Sequence, residues 1–117
     1  MNEFLKNELL PEGFKVLLPE EAEKEEFLSR KILDFFLKFN YLLVKTPLVE
    51  YEDNESLSTL YESNANPFML MEPETKKVLI LRSDITPQVA KLASSKLKKK
   101  IRPLRLTYQG EVFRNIK

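Results

Sequence analysis

The sequence predicts an α+β fold with a mostly antiparallel sheet flanked by helices, and three observations predict it. Apolar residues recur at helical spacing between residues 19 and 39. Two apolar runs of strand length, 67 to 71 and 77 to 81, are separated by the polar Glu72-Pro73-Glu74-Thr75-Lys76, as in a hairpin. A second helical pattern from residue 86 then precedes a segment of strict alternation, 104 to 109. Strands joined by short turns and interrupted by helices suit this class better than a doubly wound parallel sheet. With 117 residues, 43% hydrophobic and 32% charged, the chain can enclose one modest core, a single partial domain.

Residues 1 to 18 read as an N-terminal arm leading into a turn at Leu10-Pro11-Glu12-Gly13-Phe14, where Pro presets φ and Gly is free to take a positive one. Pro19 suits the first position of the following helix, and Glu20 and Glu21 place negative charge at the positive end of its dipole. Leu28, Ile32, Phe35, Phe36 and Phe39 form one broad apolar face, which needs a packing partner. Asn40 tolerates the left-handed conformation of a helix end. Strand periodicity follows in Tyr41-Leu42-Leu43-Val44 and Thr46-Pro47-Leu48-Val49, with Pro47 marking an edge or a break because it cannot donate to a ladder. The polar stretch from 51 to 66 reads as a loop, with one helical turn expected around Leu57 and Leu60.

The hairpin occupies 67 to 82, and a helix is expected over 86 to 100. Thr86 is a suitable N-cap, Pro87 fits the first turn, and Val89, Ala93 and Leu97 share a face with Ala90 beside it. Lys98, Lys99 and Lys100 lie where the helix dipole favours cations, either as a solvated helix end or as a phosphate contact. In the last segment Leu104, Leu106 and Tyr108 alternate with Arg105, Thr107 and Gln109, and Gly110 invites a bulge before Val112-Phe113-Arg114.

Composition excludes several chemistries. Without cysteine there are no disulfides, thiolate metal sites or thiol catalysis, and without histidine the commonest metal ligand and neutral-pH base is missing. No metal and no cofactor are expected. The N-terminus has neither a basic region nor a sustained apolar stretch, and no run is long enough to cross a bilayer, so a cytoplasmic protein is expected. Charge is uneven: residues 1 to 62 carry 7 Lys and Arg against 14 Asp and Glu, and residues 63 to 117 carry 12 against 4. The basic half can meet an anion, or the two halves can attract each other.

Several blocks, in order, resemble the histidyl-tRNA synthetase-like family. They are Leu10-Pro11-Glu12-Gly13 with Leu18-Pro19-Glu20-Glu21-Ala22, Phe39-Asn40-Tyr41 with Thr46-Pro47-Leu48-Val49-Glu50, Leu81-Arg82-Ser83-Asp84-Ile85-Thr86, Arg102-Pro103-Leu104-Arg105-Leu106, and Gly110-Glu111-Val112-Phe113-Arg114. The resemblance covers nearly the whole chain but only the beginning of that family's domain. It implies the N-terminal portion of the class II aminoacyl-tRNA synthetase-like catalytic fold, with 19 to 50 as the first motif and 103 to 117 as the start of the second. It also implies a homodimer interface at Pro47 and a ligand-contacting role for Arg114, whose planar guanidinium can grip a carboxylate or phosphate with two parallel hydrogen bonds.

Within this family, synthetases usually read Leu-Arg-Pro-Glu where this chain has Leu81-Arg82-Ser83-Asp84, and there the carboxylate and the threonine recognise the α-amino group of histidine. Asp84 and Thr86 are the matching residues. The continuation Thr86-Pro87-Gln88-Val89-Ala90-Lys91 resembles the branch of regulatory subunits of ATP phosphoribosyltransferase. Ser83 replaces the usual proline, Val16 a frequent aspartate, and Ile116 the glutamate that follows Phe-Arg and helps bind adenine. The resemblance therefore implies a non-catalytic regulatory subunit, partnered with the catalytic subunit, with histidine as effector and no tRNA. The alternatives are the N-terminal part of a histidyl-tRNA synthetase and a free-standing interaction module.

Overall fold

A computed structural model describes residues 10 to 52 and 67 to 114. The expected loop around Leu57, the arm before residue 10 and Ile116 lie outside the described residues. Two compact units are distinguished, Met1–Phe35 and Phe36–Lys117.

In the first unit the Phe14 amide donates to the Pro11 carbonyl at 3.0 Å, and Gly13 takes φ +89°, a conformation that disfavours any residue with a Cβ. Helix α1, Pro19–Lys38, opens with Glu20 and Glu21 in its first turn and ends with Lys38 in its last, in keeping with the macrodipole. Two exposed i,i+4 pairs, Lys24 with Glu20 and Arg30 with Glu26, lie along it and add little stability. None of its residues is buried. Leu28, Ile32 and Phe35 are each more than half exposed, as is Phe39 just past the end. Leu33 and Phe36 are the better-covered apolar positions, so the predicted face divides into two stripes.

The second unit begins with the end of α1, where Asn40 adopts φ +65°. The Tyr41 amide reaches back to the Phe36 carbonyl and the Asn40 amide to that of Leu37, the two bonds of a Schellman motif. The Phe36 and Tyr41 rings seal it edge to face at 5.1 Å. Strand β1, Leu42–Leu43, leads through Pro47 to β2, Val49–Tyr51. Strands β3, Met69–Met71, and β4, Val78–Leu81, form the expected hairpin, with Lys76 at φ +63° in its turn. Helix α2 is Thr86–Ser94, and β5 is Leu106–Thr107.

The order β2-β4-β3 makes one antiparallel sheet, with Val49 opposite Leu81 and Leu70 opposite Leu79. The expectation of a largely antiparallel sheet holds for these three strands. Strands β1 and β5 instead form a separate parallel pair, Leu42 with Leu106 and Leu43 with Thr107. Because partners across a ladder point to the same side, Met69, Met71, Val78 and Ile80 share one face, and Val49, Tyr51, Leu70, Leu79 and Leu81 the other. Both faces are largely apolar, with Glu50 joining the first of them opposite Ile80.

Helix α2 is shorter than the expected 86 to 100. It stops at Ser94, and residues 95 to 99 continue as turns, with the Leu97 amide reaching back to the Leu92 carbonyl. The Ser94 and Ser95 hydroxyls both donate to the Lys91 carbonyl, which competes with continuation of the helix. Its carbonyl end is met by Arg102, whose guanidinium donates to Ala93 and Leu97, and not by the lysine run. Arg102 precedes a cis peptide bond to Pro103. The core sits at the start of α2, where Ile85, Pro87, Gln88 and Val89 are buried together with Arg82.

Candidate functional site

The end of β4 and the start of α2 hold the site, because the chain between them turns sharply. Asp84 Oδ1 accepts a hydrogen bond from the Thr86 amide at 3.1 Å, so the carboxylate closes an Asx turn and serves one of the helix's unpaired donors. The expected Thr86 cap is thereby corrected. Thr86 is already helical, with Ile85 before it in a right-handed conformation and making no side-chain cap bond. The threonine hydroxyl lies 3.0 Å from the Tyr108 hydroxyl.

Arg114 arrives at the same turn, its Nε donating to the Ser83 carbonyl at 3.2 Å. Strand parity does not orient it, since β5 ends at Thr107 and no ladder continues through Gly110. Asp84, Thr86 and Arg114 are thus gathered around residues 83 to 86. Pro47 lies elsewhere, in the break between β1 and β2, and is exposed.

Beneath this turn is a knot of polar side chains that were not foreseen. Arg82 is only 5% exposed. Its Nε donates to the Glu111 carbonyl at 2.7 Å, and its Nη1 to the Thr46 carbonyl at 2.9 Å and the Thr46 hydroxyl at 3.2 Å, with the Pro47 carbonyl at 3.5 Å. Its backbone is held as well, the amide by Leu48 and the carbonyl by the Phe113 amide. Gly110 packs against the guanidinium so closely that a Cβ there would overlap Arg82 Nη2.

Gln88, 4% exposed, completes the knot. Its Oε1 accepts from the Thr46 hydroxyl at 2.8 Å, and its Nε2 donates to the Pro47 carbonyl at 2.8 Å and to Glu50 Oε1 at 3.1 Å. Arg82 and Gln88 therefore tie the Pro47 break, the end of β4, α2 and the segment before Arg114 into one unit. Buried polar groups that are this fully bonded specify a geometry, since each lost partner leaves a desolvated group behind. A faint signal was present in the sequence: Arg82 directly continues the apolar Val78-Leu79-Ile80-Leu81 run, and Gln88 immediately precedes Val89 on the core-facing helix.

The arrangement can hold a small zwitterion, with a carboxylate and two hydroxyls near a guanidinium on one turn. No group of three or more Asp and Glu side chains that could hold a metal ion gathers among the described residues.

A class II synthetase-like catalytic fold is what this order of elements and this turn define. The histidyl-tRNA synthetase family profile matches residues 13 to 117, and the chain belongs to that family. Among similar proteins, a protein named ATP phosphoribosyltransferase regulatory subunit from Paramagnetospirillum magneticum is 37% identical over 114 residues, 97% of this chain and 30% of that one. One of the same name from Rhodospirillum rubrum is 42% identical over 106 residues, 91% of this chain and 28% of that one. Among solved structures, an ATP phosphoribosyltransferase regulatory subunit/histidyl-tRNA synthetase from Bacillus halodurans superposes with a TM-score of 0.76 at 29% identity, covering 92% of this chain and 28% of that one. The histidyl-tRNA synthetase of S. aureus, at 21% identity and a TM-score of 0.71, covers 91% of this chain and 25% of its own and shares the fold. The chain spans less than a third of the length of the curated relatives it matches.

Proposed function

We propose that the chain serves as a non-catalytic regulatory subunit of ATP phosphoribosyltransferase, the enzyme that joins ATP to phosphoribosyl pyrophosphate in the first step of histidine biosynthesis. Its partner is the short-form catalytic subunit and its effector is histidine. The observation that carries this reading is the 81 to 91 segment, whose residues resemble the regulatory branch. In that segment Gln88 has a structural task, bridging α2 to Pro47 and Glu50. The name borne by the similar proteins supports the same reading.

In this reading Asp84 and Thr86 contact the α-amino group and Arg114 the carboxylate of the effector. Arg114 is exposed and uses only Nε on Ser83 among the described residues, so its two Nη groups can meet a carboxylate. Asp84 Oδ1 accepts from the Thr86 amide, and that bond fixes the direction of the carboxylate. The Pro47 segment lies at a two-fold interface between copies, tRNA is not a partner, and the protein works in the cytoplasm.

The second reading, part of a synthetase, draws on the same fold and on Arg114. Ile116 separates the two, because a branched alkyl group cannot accept a hydrogen bond from adenine. Histidine-dependent exchange of pyrophosphate into ATP tests the choice. The expected result is a rate indistinguishable from a blank, and a clear histidine-dependent signal would establish the synthetase reading instead.

A further inference from the structure

Arg82 carries a charge that forms no direct ion pair among the described residues. Every hydrogen-bond partner of the Arg82 side chain among the described residues is a carbonyl or a hydroxyl. Those bonds engage Nε and Nη1, while Nη2 makes no hydrogen bond to a described residue and, not being among the fully buried unpartnered atoms, still meets solvent. A cation 95% removed from water with no directly paired carboxylate is favoured by an anion brought to the side that still meets solvent.

A place for that anion is present. The amide of Val44 donates to the Thr107 carbonyl at 3.1 Å, after which the parallel strands β1 and β5 separate at their carboxyl ends. The crevice between them has a volume of about 280 Å³. Lys45, Thr46, Arg82, Tyr108 and Gln109 supply its polar lining, and no carboxylate is among its lining residues. Its volume lies just under the ~300–1,000 Å³ of ordinary small-molecule pockets, which suits a small ion.

We propose that this crevice binds a phosphate-sized oxyanion, held by Arg82 Nη2, the Lys45 ammonium and the Tyr108 hydroxyl. A tetrahedral anion accepts donors from several directions, as these residues offer them, whereas a planar carboxylate is best met by two parallel donors of one guanidinium. Arg82 cannot offer that fork, because Nε and Nη1 are engaged. The crevice is distinct from the contacts assigned to the effector and does not depend on the regulatory reading. It touches them at one point, the 3.0 Å link between Tyr108 and Thr86.

Inorganic phosphate titrated into the ¹⁵N-labelled chain at constant ionic strength tests the proposal. Saturable shifts are expected at the amides of Thr46, Tyr108 and Gln109, with a dissociation constant on the order of millimolar. Chloride should not reproduce them. Lys45→Ala, an exposed substitution that leaves the knot intact, should weaken binding roughly threefold or more, and Lys98→Ala should not. Shifts that fail to saturate, that appear equally with chloride, or that weaken as much with Lys98→Ala would overturn the site. Tighter binding of acetate than of phosphate would overturn the assignment to a phosphate-sized ion.

Discussion

Gln88 shows what a single residue contributes here. Its side chain is almost wholly buried and uses both ends, so truncation leaves the Pro47 carbonyl and the Thr46 hydroxyl each short of a partner. Gln88→Ala should therefore destabilise the chain by about 1–3 kcal/mol, read as a lower urea midpoint with an unchanged slope. A midpoint equal to that of the parent would show that water replaces the amide and that the knot does not set the geometry of the turn. Sequence reasoning selected Asp84, Thr86 and Arg114, which do meet at one turn, but assigned the capping bond to Thr86 when Asp84 makes it. Both side chains could serve, and the choice depends on where the helix begins, a matter of one residue. Arg82 and Gln88 were not selected because burial of a polar side chain depends on which distant carbonyls surround it, and residue type alone says the opposite.

At the scale of elements, α1, the hairpin and the break at Pro47 were legible because their signals are local: a helical period, a turn flanked by apolar runs, and an imino acid without an N–H. The parallel pairing of β1 with β5 was not, since alternation shows which residues share a face and says nothing of which strand lies alongside, 64 residues away in the case of Leu42 and Leu106. Cations favour a helix end, which suits the lysine run, yet Arg102 from beyond the turn supplies the contact.

The stripe of Leu28, Ile32, Phe35 and Phe39 recurs at spacings of four, three and four, and each of these residues is more than half exposed. Such a seam is the pattern by which helices associate. Self-association at micromolar concentration is expected, and the paired substitution Ile32→Glu with Phe35→Glu should convert it to a monomer, since a charge on the seam would have to be desolvated. Gel filtration with light scattering would show it. A parent chain that elutes as a monodisperse monomer at that concentration would contradict the expectation.

For the whole molecule, the family match spans residues 13 to 117 and so takes in both compact units, and the Arg82 and Gln88 knot beneath the turn of Asp84 and Thr86 lies in the unit from Phe36 onward. No helix among the described residues is long and apolar enough to cross a membrane. The sheet of β2, β3 and β4 is largely apolar on both faces, and Met69 and Met71 remain more than half exposed on the one that also carries Glu50. That surface and the α1 seam together offer more apolar area than a solvated face requires. In the proposed regulatory reading the chain acts through what it assembles with. Sedimentation velocity of the chain mixed with a short-form ATP phosphoribosyltransferase catalytic subunit tests it most directly. At about 10 μM of each component, the account predicts a shared, faster boundary absent from either component alone. Two boundaries that sediment independently up to about 100 μM would contradict it.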